Sequence, residues 1–249
     1  MKAQGTAVRI PTKIAADIGV KIVEGRLKPG TILDGEIEAS GARRVSRSAY
    51  REAIRILTAK GLVTSRPKIG TRVTGPDQWH LLDPDVLAWM FVKEPPRNLL
   101  SSLFELRKLV EPEAAALAAQ RRSLEQLNRM GSALEVMARE TLHTEAGRAA
   151  DNSFHGALLA ASDNVFLMSL SSSVTAAIAW STDFKERTQR LKRDAIPDHM
   201  KVYEAIAARN PAAARTAMVE LIDLAFADAT RRAETGARTR AGKARPRRC

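Results

Sequence analysis

The sequence predicts a mainly α protein in two parts: three helices closed by a small hairpin, then an all-α helical bundle. Three observations predict it. Apolar residues recur at helical spacing along most of the chain. The β-prone runs Leu62–Ser65 and Thr71–Val73 flank a turn at Pro67–Gly70, and no other strand pattern competes. Residues 76–97 break the pattern, with four prolines and two of the three tryptophans. The expected organisation is a head over residues 1–75, a packed linker over 76–97, a bundle over 98–232 and a basic disordered tail over 233–249.

The elements follow in order. Ile14, Ile18 and Ile22 form a stripe on a first helix that Lys28-Pro29-Gly30 ends. Asp34 is the expected N-cap of a second helix, reaching about Ala42. Arg44-Val45-Ser46 makes a tight connection, and Ser46 caps a third helix from Arg47 to about Lys60, closed by Gly61. Three helices followed by a hairpin is the layout of a winged helix-turn-helix. In the bundle, Leu99, Leu103, Leu106, Val110 and Leu117 mark one long helix with a kink at Pro112. Ser123 caps a helix through Glu140, and further helices fall near 147–161, 164–190, 197–209 and 211–232. Asn210-Pro211 supplies a cap with proline at the first helical position.

Composition narrows the function. At 249 residues, 45% apolar and 27% charged, the chain is globular, with one or two domains. One cysteine, Cys249, leaves no internal disulfide framework and no cysteine zinc finger, which fits a cytoplasmic protein. Met1–Val20 lacks the continuous apolar core of a signal peptide, and the uncharged run Asn164–Thr182 carries too many hydroxyls for a membrane span. Aromatic residues at 4% argue against a single-strand binder built on stacking. The net charge of +12 is uneven: +9 over residues 1–75, −3 over 76–235 and +6 over 236–249. Basic ends suit a polyanion, and the acidic middle has another task.

The third helix places Arg47, Arg51 and Arg55 on one face and Ala49, Ala53, Ile56 and Leu57 on another. The apolar face packs and the arginines can meet a major groove, where a guanidinium fork reaches guanine edges or phosphate. Lys68 and the backbone at Gly70, in the hairpin turn, can touch phosphate or the minor groove. The segment IVEGRLKPGTIL…VSRSAYREAIRILTAKGLVTSRPKIGTRV closely resembles the DNA-binding domain of GntR-type bacterial transcription regulators. By that resemblance Ser46, Arg47, Ser48 and Arg51 fall on DNA-contact positions and Gly70 on the wing tip. Two positions depart from the family: Ile37 replaces an arginine that contacts DNA, and Arg44 replaces a glycine in the turn, where positive φ is costly. Arg43 or Arg44 would supply the missing contact.

In the bundle, Asp151 and His155 lie four apart on one helix and can share a divalent metal, with His199 on a later helix as a third ligand. Arg107 lies between apolar positions, where a lone buried cation needs an anionic partner. Trp180 ends the uncharged helix. Residues 98–230 resemble the all-α effector domain of the FadR branch, the FCD domain. Many members hold a metal with an Asp-x-x-x-His pair and two later histidines. By resemblance Asp151, His155 and His199 match three ligands, Leu221 stands at the fourth, and the ion would be zinc, nickel or manganese. WHLLDPDVLAW, Trp79–Trp89, looks like the subgroup of galactonate-responsive regulators. There Arg107 would pair with an aldonate carboxylate and Trp180 would pack on its carbon chain.

The expected function is a metabolite-responsive, dimeric repressor in the bacterial cytoplasm that leaves a pseudo-palindromic double-stranded operator when a sugar acid binds. It is expected to be neither an enzyme nor membrane-bound. Two alternatives stand: an architectural protein that binds DNA without sequence preference, and a metal-dependent enzyme using Asp151, His155 and His199.

Overall fold

The computed structural model describes residues 9–187 and 193–241. They fall into two compact units that part between Glu94 and Pro95.

The first unit is built on α1 (Ile10–Val23), α2 (Glu36–Arg43) and α3 (Arg47–Ala59). The stripe of Ile14, Ile18 and Ile22 is buried on α1, against Tyr50, Ala53 and Leu57 of α3. The N-cap of α2 is Gly35 rather than Asp34. Asp34 instead gives its backbone carbonyl to the Tyr50 hydroxyl, 3.2 Å away, so the helix starts one residue later than the cap signal suggests. Arg44 closes α2 in the left-handed region at φ 52, the strained turn foreseen from the sequence. Ser46 caps α3, its Oγ accepting from the Ala49 N–H at 3.2 Å. Strands β1 (Val63–Arg66) and β2 (Gly70–Val73) pair antiparallel, Val63 opposite Val73 and Arg66 opposite Gly70. Lys68 and Gly70 both take positive φ at the hairpin tip.

Residues 76–94 fold onto this same unit. Asp83 caps the short α4 (Pro84–Met90), accepting from the N–H groups of Asp85 and Val86. Lys60, at the end of α3, bonds Asp83 at 2.7 Å and Asp85 at 2.8 Å and lies over the Trp89 ring. Trp89 fills the space that Gly19 leaves on α1, where a Cβ would stand 2.3 Å from the ring.

The second unit is all α: α5 (Arg97–Arg121), α6 (Leu124–Glu140), α7 (Glu145–Ala161), α8 (Val165–Ser169), α9 (Ser171–Arg187), α10 (Ile196–Ala207) and α11 (Pro211–Ala241). Helices α5, α6, α7, α10 and α11 pack on one another, and α9 lies on α7. Ser123 opens α6 with a full capping box, and Asn210 caps α11 through Ala213. Two expectations change. The helix foreseen over 164–190 is two, broken at Leu170 in a serine-rich run where the Ser169 hydroxyl bonds back to the Phe166 carbonyl at 2.7 Å; positions 188–190 lie outside the described residues. Helix α11 continues past 232 to Ala241, because no proline interrupts the chain before Pro246; the rest of the expected tail, 242–249, lies outside the described residues. Among the described residues no helix is long and apolar enough to cross a membrane.

Candidate functional site

Helix α7 supplies Asp151 and His155 one turn apart on its buried face, and the first turn of α10 supplies His199. All three are at least 97% buried. His199 Nε2 lies 3.0 Å from Asp151 Oδ1 and 3.3 Å from His155 Nε2, and His155 Nε2 lies 3.7 Å from Asp151 Oδ1. The far ring nitrogens set the tautomers. His199 Nδ1 faces the Ala195 carbonyl at 2.8 Å, which can only accept, so it carries a hydrogen. His155 Nδ1 lies 2.7 Å from Glu111 Oε2. Burial alone would raise the Glu111 carboxyl, but Arg107 first, then His155, hold it down to about 2. The approach of His155 Nδ1 to the ionised Glu111 carboxylate is a close ion-pair contact and not an aligned hydrogen bond; a hydrogen on Nδ1 is the tautomer that suits it.

In neutral rings of that tautomer both Nε2 lone pairs point at each other and at Asp151 Oδ1, a buried oxygen that receives no well-aligned hydrogen bond. Three acceptors gathered in a buried site call for a cation between them. Ligand atoms about 2.1 Å from one ion stand about 3.0–3.4 Å apart in octahedral or tetrahedral geometry; two of the separations fall in that range and the third, 3.7 Å between His155 Nε2 and Asp151 Oδ1, is slightly wider. The donor set fits a divalent ion of zinc, nickel or manganese character. Asp151 is held well below the usual carboxylate range: burial opposes this, but protons on His199 above all, then on His155, and the Lys185 ammonium favour its charge, so imidazole protons and a metal cation are alternative ways to balance the same carboxylate. Leu221 is buried on α11 and brings no ligand atom.

Two of the expected effector residues have protein partners of their own. Arg107 is not a lone cation: its Nε donates to Glu111 Oε1 at 2.6 Å, four residues on. Arg107, Glu111 and His155 thus form a chain of close charge contacts beside the imidazole, where supporting carboxylates stand for metal-bound histidines. Trp180 is buried but stacks on Phe184, with centroids 5.4 Å apart. Thr182 carries the face of α9 that meets Asp151, donating from Oγ1 to Oδ2 at 3.3 Å. Two residues along a helix is a turn of about 200°, so Trp180 looks away from that face. Glu111, Thr182 and Lys185 were not foreseen. The i,i+4 spacing of Arg107 and Glu111 was the one available signal.

In the first unit, Arg44, Ser46, Arg47, Ser48, Arg51, Lys68 and Gly70 are all exposed. The Ser46 and Ser48 hydroxyls lie 3.0 Å apart at the start of α3. Arg51 pairs with Glu36 of α2 at 2.9 Å. Arg43 bonds Asp17 of α1 at 2.7 Å, leaving Arg44 as the better placed of the two candidates for the missing cation. Ile37, at the departure from the family pattern, is 68% exposed.

The profile described as "Bacterial regulatory proteins, gntR family" matches residues 11–73, and the FCD domain profile matches 102–224. The galactonate operon transcriptional repressor of Escherichia coli K12 is 33% identical over 226 residues, 88% of this chain and 95% of the relative. The HTH-type transcriptional regulator LutR of Bacillus subtilis is 35% identical over 207 residues, 80% of this chain and 91% of the relative. A solved Listeria monocytogenes structure titled for control of the agr system by Lar superposes with a TM-score of 0.61 at 18% identity, covering 91% of this chain and 99% of the other. That likeness concerns the fold.

Proposed function

The chain belongs to the GntR family of bacterial regulatory proteins, as a DNA-binding transcription regulator with an FCD domain, and from that membership we propose a dimeric, metal-holding repressor of sugar-acid catabolism genes. The observation that carries the sensing half is the buried triad. Asp151 Oδ1, His155 Nε2 and His199 Nε2 converge, with the outer nitrogen of His199 bonded to the Ala195 carbonyl and that of His155 beside the Glu111 carboxylate. These residues would hold a divalent ion, which would supply Lewis-acid attraction for the hydroxyl and carboxylate oxygens of an effector. The chain's own residues do the rest. Glu111 and Arg107 stand beside His155, Thr182 steadies Asp151, and the packed helices exclude water. The relative named for the galactonate operon supports an aldonate as effector.

The reading half uses α3 in the major groove. Arg47 and Ser48 at its N-terminal end are placed for base edges, with Ser46, Arg51 and Arg44 beside them and Lys68 and Gly70 at the wing. Two heads related by a two-fold axis would read a pseudo-palindrome. Effector binding favours a dimer whose heads no longer match the half-sites, a coupling of ~1–3 kcal/mol. In a cytoplasmic regulator of this kind the basic C-terminal end adds salt-sensitive attraction to DNA. A metal-dependent enzyme is not favoured, since the named relatives are transcriptional regulators.

Sequencing of sheared genomic DNA captured by the purified protein tests the proposal. The expected result is a sharp pseudo-palindrome upstream of sugar-acid uptake or catabolism genes. Diffuse, salt-labile recovery would overturn it in favour of an architectural protein.

A further inference from the structure

Glu36 is out of place on the face it occupies. It opens α2, one residue after the Gly35 cap, and reaches across to the exposed arginine row of α3. That face carries Arg44, Arg47, Arg51 and Lys68, all exposed, and is the face proposed to meet DNA. A carboxylate there repels phosphate. Its ion pair with Arg51 does not offset this through stability: the two side chains are 36% and 57% exposed, and pairs of that kind contribute little to folding. The positive N-terminal end of α2 does not single it out either, because Glu38 stands in the same turn.

What the pair does is fix a direction. The three arginines of α3 stand one turn apart and are held differently. Arg47 makes no ion pair among the described residues, and Arg55 bonds Glu52 of its own helix at 3.3 Å. Arg51 is the one of the three held from another helix, its Nη2 donating to Glu36 Oε1 at 2.9 Å. The carboxylate stands on a firm base. Buried Tyr50, next to Arg51 on α3, donates its hydroxyl to the Asp34 carbonyl at 3.2 Å, two residues before Glu36. The Ser40 hydroxyl closes the first turn of α2 on the Ile37 carbonyl at 3.1 Å. The start of α2 is thus tied to α3 through two adjacent residues. A long side chain gripped by a carboxylate on a tied helix loses much of its rotamer freedom before DNA arrives. A guanidinium has five N–H donors and Glu36 takes one, so a forked pair remains for guanine O6 and N7.

We infer that Glu36 is a positioning residue for base reading: it aims the Arg51 guanidinium at the edge of one guanine in the major groove. It thereby sets sequence preference at that base pair rather than the overall grip on DNA. The inference rests on the reading of α3 as the major-groove helix.

Fluorescence anisotropy on the full chain tests it, with the captured operator, its single-base variants and a random duplex of equal length as probes. Glu36→Ala is expected to lose ~10-fold in operator affinity while binding the random duplex at least as tightly as wild type. The loss should trace to one G·C pair, so that wild type and Glu36→Ala bind alike to the operator variant lacking it. Arg51→Lys, which keeps the charge without the fork, is expected to lose preference at the same pair, and adding Glu36→Ala to it to cost nothing further. Unchanged or tighter operator binding by Glu36→Ala would overturn the inference and leave the carboxylate a helix-end charge. A loss of equal size on every probe would overturn it in favour of a purely structural role. Additive losses in the double variant would overturn the positioning role by giving Glu36 a base of its own. Equal affinity of wild type for operator and random duplex would overturn the reading of α3 itself, and this inference with it. Should Glu36→Ala fail to fold by circular dichroism, Glu36→Gln, which keeps the shape and loses the charge, decides with the same probes.

Discussion

Arg44 occupies a left-handed turn at φ 52 in a position where only glycine escapes steric cost. Arg44→Gly is expected to raise the melting point of the head by an amount equivalent to about 1 kcal/mol and to weaken operator binding; stabilisation with unchanged DNA affinity would remove Arg44 from the DNA-contact set. Arg47→Ala should relax the preference at one base position by ~1–3 kcal/mol, read from binding to single-base operator variants, whereas a uniform loss across all sequences would make Arg47 a phosphate contact. Glu111 carries a signed pH dependence. Its carboxyl is held at about 2 against an ordinary 4.5, opposed by burial and favoured by Arg107 and His155. Its contribution to stability is therefore present above about pH 4.5 and is lost as pH falls toward 2. Glu111→Gln should lower the neutral-pH melting point, flatten the acid dependence in that window and weaken metal binding ~10–100-fold, read by melts across pH and by metal titration. At this scale the sequence showed Asp151 and His155 through their spacing. The anionic partner of Arg107 was written four residues downstream, but a lone arginine and a paired one look alike until burial is known. Lys185 lies just beyond the uncharged run Asn164–Thr182, where nothing in the sequence distinguishes it from a solvated lysine.

The third helix and its serine cap were legible because a cap, a closing glycine and an apolar stripe all agreed. The capping box at Ser123 was legible for the same reason. What did not show was the division of α8 from α9, because serine hydroxyls that bond backbone carbonyls leave no mark in hydrophobic periodicity. Helix α4 was also hidden. Its seven residues sit among prolines, and its place depends on a glycine far away in sequence. Gly19 faces the Trp89 ring, and a Cβ there would meet ring carbons at 2.3 and 2.4 Å. Gly19→Ala should therefore displace Trp89 and destabilise the head by ~1–3 kcal/mol, measured by chemical denaturation; a variant as stable as wild type would show that α4 is not seated there. Lys60, clamped to Asp83 and Asp85, ties the same segment to the end of α3. The segment between the prolines is thus joined to α3, the helix proposed to read DNA.

For the whole molecule, the uneven charge was the most informative sequence signal, since a basic head and a mildly acidic helical half divide binding from sensing. The family signature then supplied the DNA-reading fold, which profiles and relatives support over 11–73 and 102–224. The ligand centre required three dimensions: Asp151 and His199 are 48 positions apart in the chain, and their convergence on His155 follows from α10 packing beside α6 and α5. The central claim is that this centre controls the grip on DNA. The most direct measurement is the affinity of the zinc-loaded protein for its operator, by fluorescence anisotropy, with and without saturating D-galactonate. A ~5–150-fold loss of operator affinity, abolished by Asp151→Asn, is the predicted result. An operator affinity unchanged by galactonate, with calorimetry showing the ligand bound at the same concentration, would contradict the account.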